Sequence, residues 1–273
     1  MLKKPEPPFS EDSGMKEIYC MSKIAARRDG IIALLKEQGS ITATEIMEIF
    51  GVSEATARRD LETLEQEKRL VRMFGGAVLE SIRKEIPFYR KMEMNPEEKK
   101  EIADKAYALI QEGDVIGLTG GTTCMFVARR IIQQPFERLT VVTNALNIGF
   151  ELAGVPGLEL ILTGGVNRTH SYELSGPLAD TILERITIQK TFLGADGVDP
   201  VRGLTTFNEL EANTNRKMIQ QSLETYALAD HSKLGRSSLF LIDKWRAISG
   251  LVTDKGAVRE MLEPFKDAGI RIL

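Results

Sequence analysis

The stretch from Ser40 to Val78, SITATEIMEIFGVSEATARRDLETLEQEKRLVRMFGGAV, constrains this chain more than any other. Thr42 followed three residues later by Glu45 is a capping box: the hydroxyl takes one free helix N–H while the carboxylate reaches back for another. The spacing predicts a short helix there, with Ile46, Ile49 and Phe50 as its apolar face and Gly51 as its left-handed stop. After the tight turn Gly51-Val52-Ser53, Ser53 is an N-cap for a second helix of about four turns, in which Ala57, Leu61 and Leu64 share one face. Two short helices joined by such a turn form a helix-turn-helix pattern.

The second helix leaves Glu54, Thr56, Arg58, Arg59 and Thr63 pointing away from that core. Short or basic side chains near a helix N-terminus suit the floor and walls of a DNA major groove, and Ser53 opens the same turn. Arg58 and Arg59 are the main expected DNA contacts; the alternative is an amphipathic helix carrying ordinary surface arginines. Lys68 to Val78 follows as two short strand-like runs around basic residues and a Gly pair, the pattern of a wing, with Arg72, Gly75 and Gly76 expected at the DNA. Upstream, a helix is predicted from Lys23 to about Gln38, with Ile24, Ile31, Leu34 and Leu35 on its apolar side and Gly39 as its stop. Gly30 inside it is unfavourable by about 1 kcal/mol relative to Ala.

SEATARRDLETLE followed by RMFGGAV resembles the DeoR family of bacterial sugar-metabolism repressors. The similarity runs from about Lys23 to the C-terminus, departing at Lys68, where the family commonly has Gly, and at Phe74, where it often has His. The resemblance implies operator DNA as a partner and a homo-oligomer, dimer or tetramer. Symmetry agrees, because paired recognition helices read half-sites one helical turn apart.

The chain has 273 residues, room for one small and one mid-sized domain. A net charge of −3 argues against a polybasic coat but not against DNA binding, which needs only a local cluster of positive charge. Cys20 and Cys124 form no C-x-x-C pair and no disulfide framework, which fits a reducing cytoplasm. No secretory signal and no membrane-spanning apolar run is expected. Residues 1–20, rich in Pro, Glu, Ser and Lys, are expected to be a disordered extension, with Met15 and Met21 as alternative starts. Residues 21–79 are the expected winged helix-turn-helix DNA-binding domain and 80–94 the linker, with Phe88 and Tyr89 pinned against the second domain. Residues 95–273 are the expected effector domain, opening at Asn95-Pro96-Glu97-Glu98 with Asn95 as N-cap and Pro96 at the first helical position.

Beyond that helix, short apolar runs at 114–118, 139–143, 158–163, 190–194, 225–229 and 248–252 alternate with helix-period segments. This is the signature of an α/β fold with a doubly wound, Rossmann-like parallel sheet, which places ligands beyond the carboxyl ends of its strands. Polar loops end these runs. Gly120-Gly121-Thr122-Thr123 lies between a strand and a helix start and suits an anion such as phosphate, though it lacks the Lys-Ser/Thr ending of a Walker loop. Asn144, the pair Gly164-Gly165 with Arg168, Asp196 and Lys233 lie in four further loops. Arg168 and Lys233 would neutralise a phosphate, while Asp196 and Asn144 would order sugar hydroxyls. Each loop alone is an ordinary turn; five on one sheet edge are less easily dismissed.

These loops extend the resemblance: GGTT, the Gly pair with Arg168, LGADG, GLTT at Gly203 to Thr206, Glu211-Ala212 and SKLG look like the DeoR effector domain. That domain is related in fold to ribose-phosphate isomerases and CoA transferases, which implies a phosphorylated sugar effector. Thr119 stands where many members carry Asp, and Asn215 where many carry Lys. His170 and His231 have no metal-like spacing, so no metal and no cofactor is expected, and Trp245 belongs to a core or subunit interface. The reading is a transcriptional repressor released from its operator by a phosphorylated sugar or derivative, with no catalytic residue. An activator fits the same residues. The rival class is a sugar-phosphate isomerase-like enzyme using the GADGVD loop with Lys233, against which no second general acid or base is evident.

Overall fold

The computed structural model describes residues 23–35, 40–67, 69–73, 76–79 and 86–273. The expected N-terminal extension, the expected helix end at Gln38 and Gly39, Lys68, Phe74, Gly75 and residues 80–85 lie outside the described residues. The chain divides into two compact units, Met1–Arg83 and Lys84–Leu273.

In the first unit, residues 23–35 are helical. Ile31, Ile32 and Leu35 from that helix pack with Ile46, Ala57, Leu61 and Leu64 in one core. Gly30 has a packing reason, since a Cβ there would stand 2.9 Å from the Phe50 ring. The helix Ala43–Phe50 starts with the complete Thr42–Glu45 capping box and ends at Gly51 with φ 63°. The helix Glu54–Gln66 starts at Ser53, whose side chain accepts from the Thr56 N–H. Strands β2 (Leu70–Met73) and β3 (Gly76–Leu79) pair antiparallel as the wing. An unexpected third strand, β1 (Ser40–Thr42), lies against β3 with Thr42 opposite Gly76. A Cβ on Gly76 would meet the Ile41 carbonyl oxygen at 2.2 Å, so that glycine seats the wing against β1.

In the second unit all six expected apolar runs become strands of one parallel sheet: β4 (Val115–Leu118), β5 (Leu139–Thr143), β6 (Leu158–Leu162), β9 (Ile188–Gly194), β12 (Ser222–Leu228) and β14 (Gly250–Val252). Their spatial order is β14-β12-β9-β4-β5-β6. The chain therefore starts at β4 in the middle, winds outward to β6, then crosses back to β9 and winds the other way, the doubly wound order with its switch point between β4 and β9. One face buries Ile116, Leu118, Val141 and Phe192 beneath the helices Pro96–Tyr107, Thr122–Gln133 and Leu146–Leu152. On the other face, Val142 and Ile188 of the sheet pack with Leu183 of Pro177–Leu183 and Met218 of Glu209–Gln220. Two additions were not expected from sequence: the hairpin β7 (Val166–Asn167) with β8 (Leu174–Ser175), and the antiparallel sheet of β10 (Gly197–Asp199), β11 (Gly203–Thr206) and β13 (Phe240–Asp243).

One sequence expectation needs correction and another refinement. Part of the expected linker is the helix Phe88–Glu93 of the second unit: Phe88 and Met92 pack on its core, whereas Tyr89 is exposed. Asn95 is the N-cap of the helix Pro96–Tyr107, as expected, but its side chain makes no cap bond; with φ 48° it donates from Nδ2 to Asp230 at 3.0 Å and to Ser232 at 3.2 Å, which fastens this helix start to the Lys233 loop.

Recognition helix and switch-point cleft

The recognition helix Glu54–Gln66 is oriented by a charge cluster that sequence reading missed. Asp60 is 2% exposed and accepts from Arg27 Nε at 2.6 Å and from Arg28 Nε at 3.0 Å. Arg28 also donates to Thr63 Oγ1 at 3.1 Å, so the expected DNA contact Thr63 is occupied within the domain. Of the other expected contacts, Ser53, Glu54, Arg58 and Arg59 are exposed and Thr56 half-buried, all in the first turns of the helix. Arg58 is paired with Glu54 at 2.5 Å, and Arg72 in the wing with Glu62 at 2.9 Å. The helix therefore presents Arg59 beside a hydroxyl-lined first turn, while its other cation, Arg58, and Arg72 of the wing are matched to carboxylates.

The second unit has a cleft where the sheet changes direction. The loops after β4 and β9, at the switch point, bring Gly120, Gly121, Thr122, Thr123, Ala195 and Asp196 together around a cleft open to solvent. Lys91, Glu173, Glu211 and Lys233 complete its charged lining. Thr119, fully buried, ties the two loops by accepting from the Gly194 N–H at 3.1 Å. Gly121, with φ 100°, is the N-cap of Thr122–Gln133 and supplies no side-chain cap, so the first N–H groups of that helix remain for an anion.

Lys233 sits on a single-turn helix whose start is capped by Asp230, and its Nζ donates to the Ala195 carbonyl at 2.9 Å. Asp196 accepts from Lys91 at 2.6 Å and from the Thr206 hydroxyl at 3.1 Å. Burial alone would push its carboxyl up, but the Lys91 and Lys233 charges and the hydrogen bonds from Lys91 and Thr206 hold it at about 2. Lys99, on the helix Pro96–Tyr107, donates to the Lys91 and Met94 carbonyls, and burial lowers it to about 8.

Four expected effector residues lie elsewhere. Asn144 is fully buried: its Oδ1 accepts from Gly120 N–H at 3.1 Å and its Nδ2 donates to the Leu174 carbonyl at 3.4 Å, so it shapes the loop and does not reach a ligand. Gly165 allows close passage of β8, where a Cβ would meet Ser175 N and O at 2.9 Å, and Gly164 precedes it at φ 72°. Arg168 is turned toward acidic neighbours, 2.7 Å from Glu211 and 3.8 Å from Glu173. His231 pairs with buried Asp254 at 2.9 Å, and Trp245 packs edge-on against Phe265, in the core as expected. Among the described residues no group of His, Cys, Asp and Glu could hold a metal, and no helix is long and apolar enough to cross a membrane.

A winged helix-turn-helix joined to an α/β unit with a charged cleft at its switch point defines a transcription regulator with a sensing domain. The family model for the DeoR-like helix-turn-helix domain matches residues 27–83, and that for the DeoR C terminal sensor domain matches residues 94–255. The chain belongs to the DeoR family of DNA-binding transcriptional regulators. It is 35% identical to the uncharacterized HTH-type transcriptional regulator YulB of Bacillus subtilis, over 91% of this chain and 96% of that one. It is 32% identical to the putative aga operon transcriptional repressor of Escherichia coli O157:H7, over 97% of each. It is 30% identical to the glycerol-3-phosphate regulon repressor of Escherichia coli K12, over 92% of this chain and 98% of that one.

Proposed function

We propose that this regulator represses a carbohydrate-utilisation operon from the cytoplasm as a homo-oligomer, and leaves its operator when a phosphorylated sugar or sugar derivative occupies the switch-point cleft. The observation that carries this reading is the meeting of Lys233 with the uncapped start of Thr122–Gln133 in one cleft, a cation and free N–H donors for one phosphate. Asp196 and Glu211, already held by Lys91 and Arg168, supply acceptors for hydroxyls further in. Relatives named for a glycerol-3-phosphate regulon and an aga operon support the substrate class.

A ligand that releases DNA must bind the DNA-incompetent state more tightly, since equal affinity for both states shifts nothing. Sugar phosphates are therefore screened by thermal shift, where a ligand at a hundred times its dissociation constant stabilises by about 2.7 kcal/mol. The hits are then tested for operator release. Lys233→Ala should bind operator normally yet require about tenfold to a hundredfold more sugar phosphate for release, the loss of one charge-assisted contact. A wild-type ligand response in this variant removes Lys233 from the site. The isomerase-like alternative is favoured by the carboxylates Glu173 and Glu211 lining the same cleft as Lys233, so every hit is also assayed for turnover; a catalysed isomerisation would replace the repressor reading.

A further inference from the structure

Glu173 is the cleft residue to which neither the sequence nor the resemblance assigns a role. It lies at the end of the hairpin loop between β7 and β8, is 2% exposed, and its Oε2 has no hydrogen-bond partner. Its side chain lies flat against the phosphate loop: a Cβ on Gly120 would stand 1.9 Å from Glu173 Oε1 and 2.1 Å from its Cγ. The Gly120 backbone is not left-handed, so what excludes a side chain there is Glu173 itself.

The charged groups facing Glu173 are Arg168 on its own hairpin, Glu211 on the helix Glu209–Gln220, Asp196 after β9 and Lys91 on Phe88–Glu93. The facing cations lie closer to other carboxylates: Arg168 is 2.7 Å from Glu211 against 3.8 Å from Glu173, and Lys91 is 2.6 Å from Asp196. A carboxylate here would be buried, beside another carboxylate, and pressed against the loop that is to receive a dianion. Each of these disfavours the charged form. The protonated acid has an O–H donor to offer.

We propose that Glu173 works as a neutral carboxylic acid that donates its O–H to an anionic oxygen of the ligand seated at the start of Thr122–Gln133. This rests on the reading of the cleft as a phosphate site. Burial first, and Glu211 second, raise the Glu173 carboxyl well above the usual carboxylate range, the direction that favours the acid form. Once pH rises past its ionisation, Glu173 changes from a donor to a repelling charge, and anion affinity falls.

The probe is inorganic sulfate, whose charge is constant from weakly acidic to weakly basic pH, and the readout is the thermal shift of the full chain against sulfate concentration. Wild type should lose sulfate affinity with rising pH, approaching tenfold per pH unit above the Glu173 ionisation. Glu173→Gln keeps a donor and cannot ionise, so it should hold the acid-side affinity throughout. Its folding is checked by operator binding. Lys99 is common to both proteins, so the difference between the two profiles isolates Glu173. Identical profiles, or loss of sulfate by the Gln variant at every pH, overturn the proposal while leaving the phosphate site intact. No sulfate response in either protein removes the phosphate site, and this role with it.

Discussion

Replacing Asp60 by alanine tests how the recognition helix is held. Asp60 accepts two guanidinium hydrogen bonds while 2% exposed, and a fully buried pair broken on one side costs about 3 to 5 kcal/mol. The arginines, however, are 17% and 25% exposed along their side chains and can turn their charges to water, so we expect about 2 to 3 kcal/mol. A domain of roughly 60 residues has a total stability of only about 3 to 9 kcal/mol. The loss should lower the melting of the first unit by on the order of 10 to 20 °C, at about 4 to 8 °C per kcal/mol. The assay is calorimetry of the full chain, whose two units give the variant an internal reference, with operator binding at low temperature in parallel. An Arg28→Ala and Asp60→Ala double-mutant cycle should show strong non-additivity. A first-unit melting point within a degree of wild type, with unchanged operator affinity, would refute the clamp.

Arg59→Ala should weaken operator binding by about 1 to 3 kcal/mol without changing the melting curve, and Arg58→Ala should do less because Glu54 already holds that side chain; equal, unaltered affinities measured by gel shift would sink the assignment. Phe150, 85% exposed on the helix over the open edge strand β6, together with Leu146 and Leu162, is the proposed oligomer contact. Phe150→Glu should shift the oligomer toward monomer in light scattering by at least tenfold in affinity, and an unchanged mass would exclude this face. Asp196 is held at about 2, below its unfolded value, so its contribution is present above about pH 4 and is lost as pH falls toward 2. Asp196→Asn should therefore flatten the acid side of the stability profile by about 2 kcal/mol, and urea titrations showing equal acid sensitivity would contradict this.

What the sequence made legible was the local chemistry. The Thr42–Glu45 box, the left-handed Gly51 and the Ser53 cap each depend on residues within a few positions of one another, and each is formed as the spacing predicts. The six apolar runs all enter one sheet, and the central ones show why they were legible: a strand buried on both faces, such as β4 and β5, is written as a near-continuous apolar segment. The Asp60 cluster was illegible, since its partners are 32 and 33 positions away and leave no periodic mark. Loop positions at the strand ends were legible, but side-chain direction was not: the β7–β8 hairpin turns Arg168 inward to Glu211 and brings Glu173 against Gly120. Its strands are two residues long, too short to show alternation. A glutamate between Tyr172 and Leu174, after a Gly pair, was the available signal.

Four arginines of the first unit come with their own anions: Arg58 with Glu54, Arg72 with Glu62, Arg27 and Arg28 with Asp60. DNA gains entropy from a bound protein by shedding condensed counterions, and non-specific binding rests almost wholly on that gain. An arginine that must first leave a carboxylate delivers less of it to any stretch of phosphate it meets. Such a surface, on a chain of net charge −3, is retained weakly by random sequence. The carboxylates beside the arginines are therefore expected to shorten each wrong stop during the search for an operator, leaving discrimination to the few side chains that reach base edges.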